Sequence, residues 1–85
     1  MTLQQLKYVT VIADSGSVNA ASKNLYVSQP SLSSAVKELE AEIGFELFRR
    51  SNRGVTITAE GEEFLSYARQ VCAQYALLEE RFVAG

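Results

Sequence analysis

Gln29, Pro30, Ser33 and Lys37 fall within nine residues of one another, and Arg49, Arg50 and Arg53 crowd a short stretch further on. An amide, a small ring, a hydroxyl and several fixed cations are groups that grip a partner through hydrogen bonds and ion pairs. They are not a set that breaks covalent bonds. Carboxylate side chains are missing around them: none occurs from Ser15 to Lys37, and none from Leu47 to Ala59. A surface that meets a polyanion needs such gaps, because carboxylates would repel its phosphates. The net charge of −2 hides this distribution. Residues 1–58 carry six basic side chains against five acidic ones, and residues 59–85 carry two against five. Where the cations sit matters more than the average.

Catalysis finds little support. The chain has no histidine, no glycine-rich phosphate loop and no cluster with metal-ligand spacing, so neither cofactor nor metal is expected. An isolated Ser or Cys nucleophile would lack a histidine base. With 47% hydrophobic residues the chain should fold as one domain, or one domain with an appended element, rather than stay disordered. No apolar run approaches the roughly 20 residues that cross a bilayer, and no secretory leader is evident. The single cysteine, Cys72, cannot form an internal disulfide and fits a reducing cytoplasm.

The elements that must position these groups are legible from periodicity and caps. Leu3, Leu6, Val9, Ile12 and Ala13 predict a helix over 2–14, which Gly16 ends. Ser17 caps a short second helix over 18–25, with Val18, Ala20, Ala21 and Leu25 facing inward. Tyr26, Val27 and Ser28 make a tight connection. Ser28 caps a third helix that accommodates Pro30 in its first turn and ends at Gly44. Its apolar stripe is Leu32, Ala35, Val36, Leu39 and Ile43; Pro30, Ser33, Ser34 and Lys37 lie on the opposite face, with Gln29 at its edge. Glu38, Glu40 and Glu42 come only later, so the start of this helix alone is built to enter a groove. Glu46–Arg50 and Val55–Thr58 read as strands around a loop Ser51-Asn52-Arg53-Gly54, a β-hairpin wing.

The expected fold is thus mainly α: a winged helix-turn-helix of three helices and a hairpin, followed by a long helix that Thr58 caps. Along that last helix Phe64, Ala68, Val71, Tyr75, Leu78 and Phe82 recur in alternating steps of four and three, a heptad seam that Leu65 and Cys72 widen. A helix of about 25 residues spans roughly 37 Å, more than the small body before it can cover. The seam predicts a second copy alongside, and a pair would set the spacing of two recognition helices on DNA. The third helix would enter the major groove, where Gln29 can bond adenine through its amide, Pro30 can touch a thymine methyl and Ser33 can meet a base or phosphate. Lys23 and Lys37 would meet phosphate, and Arg50 and Arg53 could reach phosphate or the minor groove. Two alternatives use the same residues: a helical protein-interaction module with no DNA target, and a small enzyme that would need a bound cofactor or metal.

The run Gly16-Ser17-Val18-Asn19-Ala20-Ala21, followed by Leu25-Tyr26-Val27-Ser28-Gln29-Pro30-Ser31-Leu32-Ser33, resembles the helix-turn-helix signature of the LysR-type transcriptional regulators. Leu39-Glu40, Ile43-Gly44, Leu47-Phe48, Arg50, Arg53, Val55, Ile57, Thr58 and Gly61 continue the pattern in register. The resemblance covers residues 3–61 densely and the last helix loosely. It implies a DNA-binding domain over 1–58 and a dimerising linker helix over 59–85. Bases would be read by Gln29, Pro30, Ser33 and Arg53, the last in the minor groove. Phosphates would be met by Ser17, Lys23, Ser28, Ser31, Ser34, Lys37 and Arg50. The homodimer interface would comprise Phe64, Leu65, Ala68, Val71, Cys72, Tyr75, Leu78 and Phe82. Family members recognise duplex DNA with an interrupted inverted repeat and respond to a small-molecule inducer through a further domain. The chain stops at Gly85, where that domain's linker would begin, as a deliberate fragment or a naturally truncated relative would; no inducer site is expected in these residues. Ser34 and Ala35 depart from the pattern, since Arg and Gln are common there.

Overall fold

The structure is a computed structural model that describes residues 1–83, so the last two residues of the 59–85 segment lie outside the described residues. Helix α1 spans Leu3–Ser15. It starts one residue later than periodicity alone implied, because Thr2 is its cap: Thr2 Oγ1 accepts from the Gln5 amide at 3.1 Å, and Gln5 Oε1 accepts from the Thr2 amide at 2.9 Å. This reciprocal capping box satisfies two amides that the helix end would otherwise leave open. Gly16 closes α1 in the left-handed region. Helix α2, Val18–Leu25, then begins on the Ser17 hydroxyl, which accepts from the Ala20 amide at 3.0 Å.

Tyr26 ends α2 at φ 56°, a left-handed conformation that bulky residues rarely take. The chain turns there at once into α3, Gln29–Ile43, capped by Ser28 with Pro30 in the first turn and closed by Gly44. The hairpin consists of β1, Phe48–Ser51, and β2, Gly54–Ile57, antiparallel, with Phe48 opposite Ile57 and Ser51 opposite Gly54. Both strands are displaced from the expected Glu46–Arg50 and Val55–Thr58. Glu46 and Leu47 are held instead by other bonds: the Leu47 amide donates to Glu40 Oε2 at 2.6 Å, and the Glu46 carbonyl accepts from Thr58 Oγ1 at 2.6 Å. The turn shrinks to Asn52 and Arg53, which keep negative φ while Gly54 takes φ 120°. A tight hairpin needs positive φ somewhere to match strand twist, and glycine supplies it without strain. Helix α4, Ala59–Phe82, follows from the Thr58 cap.

Helix α1 is the centre of the body and packs against α2, α3, α4 and β2. Val9, Ile12, Leu32, Leu39, Leu47 and Leu65 are its most completely buried large side chains. Each full burial of this kind stabilises by about 1.5–3 kcal/mol. Of the residues expected inward on α2, Val18 and Ala21 are buried, whereas Ala20 and Leu25 are half-buried. Ser22 is buried as well, its hydroxyl donating to the Asn19 carbonyl at 2.7 Å, so a polar side chain sits in the helix interface without an unpaired atom.

Two close approaches lock the wing and α4 to this body. A β-carbon at Gly54 would collide with the Gly16 carbonyl oxygen, the same atom that accepts from the Val55 amide at 2.9 Å. A β-carbon at Gly61 would strike the Leu47 carbonyl oxygen. Leu65 and Ala68 then enter the common core, so the division after Thr58 separates chain segments but not cores. Arg69 reaches back to Asp14 at 2.9 Å; that hydrogen bond, with the carboxylate's charge, raises the guanidinium pKa. Beyond Tyr75 α4 is exposed and projects, and the molecule extends 43 Å along its long axis.

Candidate nucleic-acid interface

The first half of α3 is displayed as its acid-free sequence requires. Gln29, Pro30, Ser31, Ser34 and Lys37 are exposed and Ser33 is half-buried. Leu32, Val36 and Leu39 on the other face are buried and hold the helix in place. The wing is bound to it by one contact: Arg50 Nη2 donates to Ser33 Oγ at 3.1 Å. The Ser33 hydroxyl thus accepts from the guanidinium and keeps its own hydrogen for a further acceptor. Lys37, Arg49 and Arg50 line a cleft of ≈ 390 Å³ between α3 and the wing, together with Glu40 and Glu46. Arg53 stands exposed at the hairpin tip, and its side chain has no hydrogen bond or ion pair among the described residues.

The described residues form two ion pairs, Arg69 with Asp14 and the N-terminal ammonium with Glu42. Neither involves Lys23, Lys37, Arg49, Arg50 or Arg53, whose charges are therefore free for an external anion. Ser17 and Ser28 are helix caps, as their positions before α2 and α3 implied. The Ser28 hydroxyl also donates to Ser31 Oγ at 2.9 Å, which leaves Ser31 as the free hydroxyl donor of the two. Sequence reasoning did not single out Asn19, which lies on α2 and whose Oδ1 accepts from Gln29 Nε2 at 2.9 Å. No periodicity within a single helix could have revealed a bond between residues ten apart.

The expected pairing seam divides into two stripes on α4. Leu65 and Ala68 are buried in the protomer's own core, which corrects their assignment to a partner interface. Cys72 and Tyr75 are half-buried, with the Lys7 ammonium 4.7 Å above the Tyr75 ring centre, and Phe64 packs edge-on against Phe45. The outer stripe stays open: Tyr67, Val71, Leu78 and Phe82 are exposed, Phe82 at 72%. The heptad steps describe both stripes, because they lie only about 100° apart around the helix. Among the described residues no group of three side chains could hold a metal ion, and no helix is long and apolar enough to cross a membrane.

A helix-turn-helix with a basic wing and a projecting terminal helix defines a class of nucleic-acid-binding folds, and comparison with known proteins narrows it. The family model of bacterial regulatory helix-turn-helix proteins of the lysR family matches residues 3–62. The HTH-type transcriptional regulator TfdT of Cupriavidus pinatubonensis (strain JMP 134 / LMG 1197) is 42% identical over 86% of this chain and 32% of its own length. A crystal structure of the CbnR DNA-binding domain in complex with DNA superimposes with a TM-score of 0.89 at 39% identity, covering 99% of this chain and 97% of that one. The BenM DNA-binding domain on benA site 1 DNA gives a TM-score of 0.88 at 31% identity, covering 95% and 94%. The chain belongs to the lysR family and has the fold of its DNA-binding domain. It spans about a third of the length of TfdT.

Proposed function

We propose that this chain binds double-stranded DNA sequence-specifically as the DNA-binding domain of a LysR-type transcriptional regulator, acting by recognition and not by chemistry on its target. The observation that carries this reading is the Arg50–Ser33 contact, which joins the amino-terminal half of α3 to the wing in one surface whose cations form no ion pair among the described residues. Gln29, Pro30 and Ser33 read bases in the major groove, and Arg53 enters the minor groove. Lys23, Ser31, Ser34, Lys37 and Arg50 meet phosphates, with the capped amino-terminal turns at Ser17 and Ser28 beside them. Two copies pair through the outer stripe of α4 and address an interrupted inverted repeat. The bacterial cytoplasm is the compartment, where Cys72 stays reduced. The likeness to DNA-binding domains solved on DNA supports this reading over a protein-interaction role.

Selecting duplexes from a random pool tests this directly: a recovered motif with two related half-sites is expected, and recovery of no motif would overturn specific recognition. On the selected duplex, Gln29→Ala should weaken specific binding by about 1–3 kcal/mol, the worth of a bidentate base contact, and barely alter binding to a scrambled duplex. Equal losses on both would remove Gln29 from base reading. Arg53→Ala should lower the slope of log affinity against log salt by about one, as one phosphate neutralisation fewer implies. An unchanged slope would exclude a charge contact at the wing tip.

A further inference from the structure

Asn19 stands in the first turn of α2 and Gln29 is the first residue of α3, and the bond between their amides bridges two helices across the turn at Tyr26. We propose that Asn19 is a positioning residue for base recognition: by accepting one Nε2 hydrogen of Gln29, it fixes the amide with Oε1 and the second Nε2 hydrogen facing outward. This inference rests on the reading of Gln29 as a base contact.

The chemistry of the two amides makes the arrangement specific. A glutamine amide has two N–H donors and one carbonyl oxygen. Adenine offers the major groove one donor, N6–H, and one acceptor, N7, so a single outward carbonyl and a single outward N–H match it. Asn19 Oδ1 occupies the donor that such a contact leaves over. A glutamine without this neighbour would reach the duplex as a mixture of rotamers and lose that freedom on binding, which weakens the contact. Both amides are exposed in the free protein, where water competes with their bond. Beneath a docked duplex that competition falls away and the bond strengthens. Asn19 therefore acts on discrimination between duplexes rather than on folding.

A double-mutant cycle on the duplex selected from a random pool tests this, with binding measured to that duplex and to single-base-pair variants of it. Gln29→Ala and Asn19→Ala should each reduce discrimination at the same base pair, Gln29→Ala by about tenfold and Asn19→Ala by a large part of that. The double variant should lose no more than Gln29→Ala alone, and the melting temperature should not move. Asn19→Asp retains the acceptor oxygen and adds a charge that phosphates repel. It should preserve discrimination at that base pair while weakening binding to every duplex. Full discrimination in Asn19→Ala, or losses that multiply in the double variant, would overturn the positioning role while leaving Gln29 as a base reader. An inert Gln29→Ala would overturn both.

Discussion

Leu78→Glu should convert a paired chain into single copies and lower affinity for a duplex with two half-sites by about 10²–10⁴-fold, the advantage that linkage of two binding modules confers. Leu78 lies on the outer stripe of α4, more than half exposed, in line with Tyr67, Val71 and Phe82. A carboxylate there would be buried against the partner's apolar side chains, and an unpaired charge resists such burial strongly. The substitution leaves the protomer intact, because the side chain touches none of its core. Sedimentation should therefore report a halved mass with unchanged helix content. Affinity for a single half-site should hardly change. A variant that still pairs, or pairs no more weakly than the parent, would move the dimer contact away from this stripe. The same measurement on Cys72→Ser should show little change, since Cys72 belongs mostly to the inner stripe.

The second large effect concerns the seat of the recognition helix. Leu32 is fully buried on the face of α3 opposite Ser33 and Ser34, within the cluster that joins Val9, Ile12 and Leu39. Leu32→Ala should destabilise the fold by about 2–5 kcal/mol, combining the lost transfer energy with that of the cavity left behind. In a domain whose whole stability is about 5–15 kcal/mol, that is a large fraction. At roughly 4–8 °C per kcal/mol, the melting temperature should fall by about eight degrees or more. Comparison with the parent must be made at one protein concentration, because pairing makes the midpoint concentration-dependent. A loss below 1 kcal/mol would mean that α3 is held chiefly by its caps and the Arg50–Ser33 contact rather than by its buried stripe.

The sequence disclosed most where a single residue determines a local geometry. Gly16, Ser17, Ser28, Gly44 and Thr58 each mark a helix boundary by backbone freedom or by a hydroxyl that accepts an amide, and each does so in the structure. The same logic would have placed Thr2, whose capping box with Gln5 has the usual three-residue spacing. Alternation told that a hairpin exists but not its phase. Glu46 and Leu47 were lost from β1 to bonds with Glu40 and Thr58, partners at a distance along the chain. Within the seam, Leu65 and Ala68 went to the protomer's own core, because a repeat of four and three cannot say which of two adjacent faces meets the body. In the candidate surface, exposure was legible from helical periodicity and the absence of carboxylates from the order of residues along the chain. The two contacts that organise it, Arg50 with Ser33 and Gln29 with Asn19, depend on how separate elements come together.

The ribbon leaves the body at an angle fixed by the backbone of Gly54 and Val55 against Gly16, and only Asn52 and Arg53 overhang. Such an overhang behaves as an exchangeable fitting. On the proposed reading of the wing, substitution at those two places retunes the preference for flanking sequence while the packing of Gly54 on Gly16 and the seat of α3 stay untouched. Divergence between gene copies, or deliberate redesign of operator choice, has its least disruptive starting point there.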